Sequence, residues 1–151
     1  MRTTLLALAA CTFGISSTAA VQQAEVMSVI TQAVDAFNKG DTKEFAKTCA
    51  SETSIIDEFQ PHEWHGAGAC EKWMGDYDSN AKRNGITDGI VKLGKPSHVD
   101  VTGDYAYVVI PSTYSWKEKG VPTREIGSAF TFALHKEAAG WKFAGWSWAK
   151  K

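Results

Sequence analysis

At 151 residues the chain has room for one sizeable hydrophobic core and not for two. Its 16 basic residues stand against 17 acidic ones, a formal net charge of −1, which leaves no electrostatic footprint for a nucleic-acid partner. Hydrophobic residues make up 44%, enough for a core, and six tryptophans in this length point either to a ring-lined cavity or to an apolar interface.

In chain order, residues 1–20 read as a secretory signal peptide. Arg2 supplies the positive end, Leu5 to Ile15 a short apolar run, and Ser16 to Ala20 a small-residue tail with cleavage after Ala19 or Ala20. The apolar run is too short to span a bilayer, so the expectation is an exported, periplasmic or extracellular protein with no membrane insertion after cleavage. Leu8-Ala9-Ala10-Cys11 resembles a lipoprotein box, with lipid anchoring at Cys11 as the lesser alternative. Export leaves Cys49 and Cys70 as the remaining cysteines. Spacing decides nothing between a disulfide and two buried thiols on helix faces.

Val21 to Lys39 predicts an amphipathic helix, with Met27, Ile30, Val34 and Phe37 at helical spacing and Gly40 ending it. Asp41 with Glu44 forms a capping-box pattern for a second, short helix whose buried face holds Phe45 and Cys49. Thr53 to Phe59 predicts a strand stopped by Pro61. Gly66 to about Arg83 predicts a third helix with Cys70, Trp73 or Met74, Tyr77 and Ala81 on its apolar face. An antiparallel meander follows, with strands at Gly89–Val101, Tyr105–Trp116, Thr123–Lys136 and Trp141–Ala149. In the third of these, Ile126, Phe130, Phe132 and Leu134 alternate against Glu125, Thr131 and Ala133. Helices ahead of an antiparallel sheet indicate an α+β architecture with the helices on one face.

The stretch from Thr53 to Gly66 carries the candidate chemistry. On a strand, Asp57 shares a face with Ile55 and Phe59, while Glu58 points the other way to the surface. A carboxylate on an apolar face must stay near water, find a partner, or raise its pKa; the last makes it a candidate general base. His62-Glu63-Trp64-His65 is one residue short of the H-E-x-x-H spacing that places two imidazoles on one helix face, and no metal is expected there. His62 reads better as a hydrogen-bond partner to a pocket group. Asp76-Tyr77-Asp78-Ser79-Asn80 copies half of a calcium loop, but Ala81 replaces the required glycine, so it reads as the polar side of the third helix. Trp146 and Trp148 share one face of the last strand, as pocket lining, core or interface. Tyr105, Tyr107, Tyr114 and Trp116 cannot all line one face of a strand without a bulge, for which Pro111 offers a place.

Phe37-Asn-Lys-Gly-Asp41, Ile55-Ile-Asp-Glu-Phe59, Trp64-His-Gly66 and Gly140-Trp-Lys-Phe-Ala-Gly-Trp-Ser-Trp148, in this order and spacing, resemble the nuclear transport factor 2-like superfamily, in its SnoaL-like and ketosteroid-isomerase-like branches. The resemblance spans the chain after residue 20. It implies a single conical α+β domain over residues 21–151: three N-terminal helices packed on a curved, mostly antiparallel sheet, often dimeric through the sheet's outer face. It places Asp57 at the family's proton-shuttling aspartate. The family's phenolic donor falls near Ala33 and its acidic donor near Phe130, neither of which can donate to an enolate, so steroid-type isomerisation is not expected. The resemblance also turns Trp146 and Trp148 toward a pocket lined by Trp73 and Phe130.

The resulting expectation is an exported domain binding a small, largely apolar molecule, and a homodimer without an organic cofactor. Asp57 serves as general base or acid with His62 and Tyr77 as partners, and Trp64, Trp73, Tyr114, Phe130, Trp146 and Trp148 contact the ligand. The chemistry would be that of a lyase, isomerase or hydrolase. The rival reading is a non-catalytic ligand-binding or dimerisation module whose pocket is closed or filled by its own tryptophans.

Overall fold

The structure, a computed structural model, describes residues 15–151, with side chains from Thr18 onward. Most of the expected leader, including Cys11, lies outside the described residues. Three helices, α1 (Ile15–Lys39), α2 (Thr42–Ala46) and α3 (Ala69–Asn84), lie against one curved sheet. Its strands are β1 (Cys49–Ile56), β2 (Glu63–Gly66), β3 (Ile86–Leu93), β4 (His98–Thr102), β5 (Tyr105–Glu118), β6 (Val121–Glu137) and β7 (Gly140–Ala149). The order across the sheet is β2-β1-β7-β6-β5-β3, with β4 also pairing β5. All pairs are antiparallel except β1 with β7. This is the α+β cone that the sequence predicts.

The helix periodicity has a direct packing consequence. Val26, Ile30, Ala33 and Val34 of α1 are all buried, facing the concave side of the sheet. Asp41 caps α2 by accepting from the Glu44 amide at 3.0 Å. Asn38, at the end of α1, exchanges two hydrogen bonds with the backbone of Val91 on β3, at 2.9 and 2.8 Å. That pair holds the edge of the sheet to the helix and closes one side of the cone.

Four boundaries depart from the sequence reading. The helical pattern of α1 begins at Ile15, ahead of Val21. The expected single strand over Gly89–Val101 is two strands, separated by Gly94 to Ser97, which pair with successive halves of β5. The first strand ends at Ile56, and Glu63–Gly66 pairs back on it as β2, where a loop running into the third helix was expected. Consequently α3 starts at Ala69, three residues later than predicted. Cys49 is the first residue of β1, outside α2, and it forms a disulfide with Cys70 near the start of α3.

Two register shifts decide which side chains face inward. Ser112 pairs with Ser128 but Thr113 with Ile126, so Gly127 (φ 81°) is an extra residue in β6. Before this bulge the alternation reverses: Glu125 is 7% exposed and Ile126 58% exposed, the opposite of the expected pattern. A second shift, between Ala133 and Leu134, leaves Ala144 unpaired in β7. Trp141 and Phe143 before it, and Trp146 and Trp148 after it, are therefore all buried. Gly145 next to it lies so close to β1 that a Cβ there would sit 2.8 Å from the Ser54 carbonyl oxygen. On β5 no bulge is needed: Ile110, Ser112, Tyr114 and Trp116 alternate regularly inward, and Tyr105 and Tyr107 stand exposed on the outer face.

Candidate functional site: an acid on the wall of an aromatic cavity

Between the helices and the concave face lies a cavity of about 270 Å³. Ala33, Val34 and Phe37 of α1 and Trp73 and Tyr77 of α3 form one wall. Tyr114, Trp116, Phe130, Phe132, Phe143, Trp146 and Trp148 of the sheet form the other. Polar residues also border it, among them Glu58, Asn80, Asn84, Glu118 and Lys150. Ala33 and Phe130, the positions where the resemblance put hydrogen-bond donors, both line the cavity and are both apolar.

Asp57 lies just past the end of β1, with its amide bonded to the His62 carbonyl at 3.0 Å. The β1 alternation carries over to it, so it lines the cavity and is 9% exposed. Its Oδ2 accepts the Trp73 indole N–H at 2.9 Å, and its Oδ1 accepts the Glu58 amide at 2.6 Å. Burial pushes its pKa from 3.8 up to about 6; the two hydrogen bonds oppose that shift, and the charges of Glu58 and Glu125 add to it. The carboxyl is thus poised to take or give a proton near neutral pH.

Trp73 fixes this acid in place. Its ring stacks on Phe45 at 5.3 Å and on Tyr77 at 5.9 Å, and meets Trp146 edge-on at 4.7 Å. Tyr77 and Tyr114 share a 2.5 Å hydrogen bond across the cavity from α3 to β5. Burial raises the pKa of both phenols, which keeps them neutral.

Of the residues expected to touch a ligand, Trp73, Tyr77, Tyr114, Phe130, Trp146 and Trp148 line the cavity with Asp57. Two do not. His62 is exposed, and its Nδ1 donates to the backbone carbonyl of Asp57 at 3.2 Å, away from the carboxylate, because the chain turns back into β2 at this point. Trp64 is 2% exposed but outside the cavity, since β2 alternation turns it toward α3, where its N–H donates to Asp76 at 2.8 Å and its ring packs on Phe59 at 5.1 Å. Among the described residues no cluster of three or more His, Cys, Asp or Glu side chains is placed to hold a metal ion.

The sequence reading missed a charged group beside the cavity. Lys150 lies 2.8 Å from Glu58 and 3.1 Å from Glu125, bridging the β1–β2 loop to β6. Glu125 also accepts from Ser128 and, at 2.9 Å, from the Trp148 indole. Burial pushes the Glu125 carboxyl up, but the bonds from Ser128, Lys150 and Trp148 outweigh it and hold it below its ordinary value. Glu58 is therefore a cavity-border residue as well as a surface one. The sequence carries one signal for the buried Glu125, Gly127, a glycine inside a strand pattern that marks a bulge.

Solved structures share this arrangement of elements. One is a Mycobacterium tuberculosis protein of unknown function, with 12% identity over 93% of this chain and 78% of that one, TM-score 0.74. Another is a nuclear transport factor 2-like protein with a cystatin-like fold from Novosphingobium aromaticivorans, with 16% identity over 92% and 91%, TM-score 0.72. A ketosteroid isomerase-like protein from Erwinia carotovora atroseptica shows 20% identity over 85% and 95%, TM-score 0.63. These likenesses concern the fold alone. A search of curated proteins returns no match. The SnoaL-like domain family matches residues 26–147, and the chain belongs to that family.

Proposed function

We propose that the chain binds a small, largely apolar molecule in the cavity and acts on it by proton transfer through Asp57, as a lyase, isomerase or hydrolase. The observation that carries this reading is a single one: a carboxyl 9% exposed on an aromatic cavity wall, with its pKa raised to about 6. Trp73 is the positioning residue, holding one carboxylate oxygen. The walls supply burial and shape, and Tyr77 and Tyr114 a neutral hydroxyl pair.

The leader-like residues 1–20 support export, and the Cys49–Cys70 disulfide fits an oxidising compartment. The outer sheet face, with Ile56 (58%), Tyr105 (68%), Tyr107 (47%) and Ile126 (58%) exposed, is the surface proposed for a homodimer. One observation favours a non-catalytic binding role instead. At the two positions where isomerase-like relatives are expected to donate to a developing oxyanion, this chain carries Ala33 and Phe130.

Native mass spectrometry on protein purified from its host tests the binding reading. The expected spectrum is a dimer carrying a small non-covalent adduct that leaves as collision energy rises. Bare polypeptide mass, combined with no binding from a panel of one- and two-ring compounds, would overturn it.

A further inference from the structure

The charge around the cavity is one-sided. Of the charged side chains that border it among the described residues, Asp57, Glu58 and Glu118 are acidic and Lys150 alone is basic. Lys150 is already engaged, held between Glu58 at 2.8 Å and Glu125 at 3.1 Å. An anionic ligand would therefore meet the field of the carboxylates with no uncommitted cation to receive it.

Asp57 also has bonding capacity left over. Each of its oxygens accepts one hydrogen bond, Oδ1 from the Glu58 amide and Oδ2 from the Trp73 indole, whereas a carboxylate offers about four acceptor sites in all. The group is 9% exposed and borders the cavity, so the remaining capacity is open to a ligand. Burial makes its ionised form costly, and a positive charge beside it would offset that cost.

The rings nearby stand at steep angles to one another. Trp146 meets Trp73 at 89° with centroids 4.7 Å apart, Phe130 meets Trp146 at 76° and 5.5 Å, and Trp148 meets Phe130 at 74° and 5.1 Å. All four border the cavity, and Trp73 is the ring that holds Asp57. Walls of this kind surround a guest with electron-rich surface from more than one direction, which attracts a cation and gives a neutral group of the same shape contact alone. The guest is small. At interior packing density, 270 Å³ holds about 200 Å³ of molecular volume, on the order of a dozen non-hydrogen atoms.

We infer that the cavity recognises a small organic ammonium ion, an apolar body carrying one positive nitrogen, seated among Trp73, Phe130, Trp146 and Trp148 with ionised Asp57 as its counter-ion. This names the ligand class for the small-molecule reading above and rests on it.

The test uses two probes of the same shape, phenyltrimethylammonium and tert-butylbenzene, which differ in having a charged nitrogen or a carbon at the branch point. The full folded chain is titrated with each, followed by tryptophan fluorescence, at about pH 7.5 and about pH 5, on either side of the Asp57 midpoint. The ammonium is expected to bind about tenfold more tightly than the hydrocarbon at the higher pH, although water solvates it far better. Its affinity falls about tenfold at the lower pH, where Asp57 of the free protein is protonated, and that of the hydrocarbon stays level. Linkage demands the counterpart, so the bound ammonium moves the Asp57 titration to lower pH. Asp57→Asn should remove both the preference and its pH dependence, and the wild-type comparison decides the matter even if that variant folds poorly. Tighter binding of the hydrocarbon, or ammonium binding that is the same at both pH values, would overturn the inference and leave the small-molecule reading standing. Binding of neither probe would overturn the inference and, together with bare mass in the native spectrum, the small-molecule reading as well.

Discussion

Asp57→Asn is expected to lower kcat/KM for any substrate the protein turns over by about 10²- to 10⁴-fold, the usual worth of a positioned general base. The amide keeps the shape of the carboxyl and an oxygen to accept the Trp73 N–H, but it cannot take a proton. The loss is therefore expected with the fold retained, which circular dichroism checks. Because the working form of the base is ionised, wild-type kcat/KM should rise tenfold per pH unit up to about pH 6 and level off above it. The same shift has a stability consequence of the less usual sign. The folded pKa, about 6, exceeds the ordinary 3.8, so ionising Asp57 penalises the folded state. The penalty is absent below about pH 4, grows as pH rises, and is fully present above about pH 6, where it reaches about 3 kcal/mol. Asp57→Asn should therefore gain stability relative to wild type as pH increases across that window. Unchanged turnover in the variant would remove Asp57 from the mechanism.

Removing the disulfide should have the largest effect on stability. The bridge joins Cys49 and Cys70, 21 residues apart, and loop-closure entropy for that length is worth about 3 kcal/mol. For a domain of this size the Cys49→Ser/Cys70→Ser variant should melt about 10 °C lower. The same loss should follow from adding reductant to wild type and not to the variant. The bridge also ties α3 to β1, and α3 carries Trp73 and Tyr77 while β1 leads into Asp57. Ligand affinity should fall along with stability. Calorimetric scans of the three samples check this, and equal melting temperatures would contradict it.

Much of the site was legible because strand alternation is a strong constraint. Ile55 and Asp57 share a face as their numbering requires, and Trp146 and Trp148 likewise. The errors came where a single residue changes that count. Gly127 adds one residue to β6, and the slip exchanges Ile126 for Glu125 on the inner face. The turn after Asp57 sends Glu63–Gly66 back along β1, which carries Trp64 out of the cavity and His62 away from the carboxylate. Trp64 finds Asp76, within the stretch that imitates a calcium loop, and no sequence spacing announces that pairing. Nothing local to Lys150 shows that Glu58 and Glu125 converge on it.

The proton affinity of Asp57 is the quantity on which the proposed chemistry depends most directly. A pH titration of its side-chain carboxyl carbon by ¹³C NMR measures it in the intact protein. The expected midpoint is about pH 6, moving when a small apolar ligand occupies the cavity. A midpoint at 3.8, indifferent to cavity occupancy, would mean the carboxyl is fully hydrated, and would contradict its role as the acid–base group of an apolar pocket.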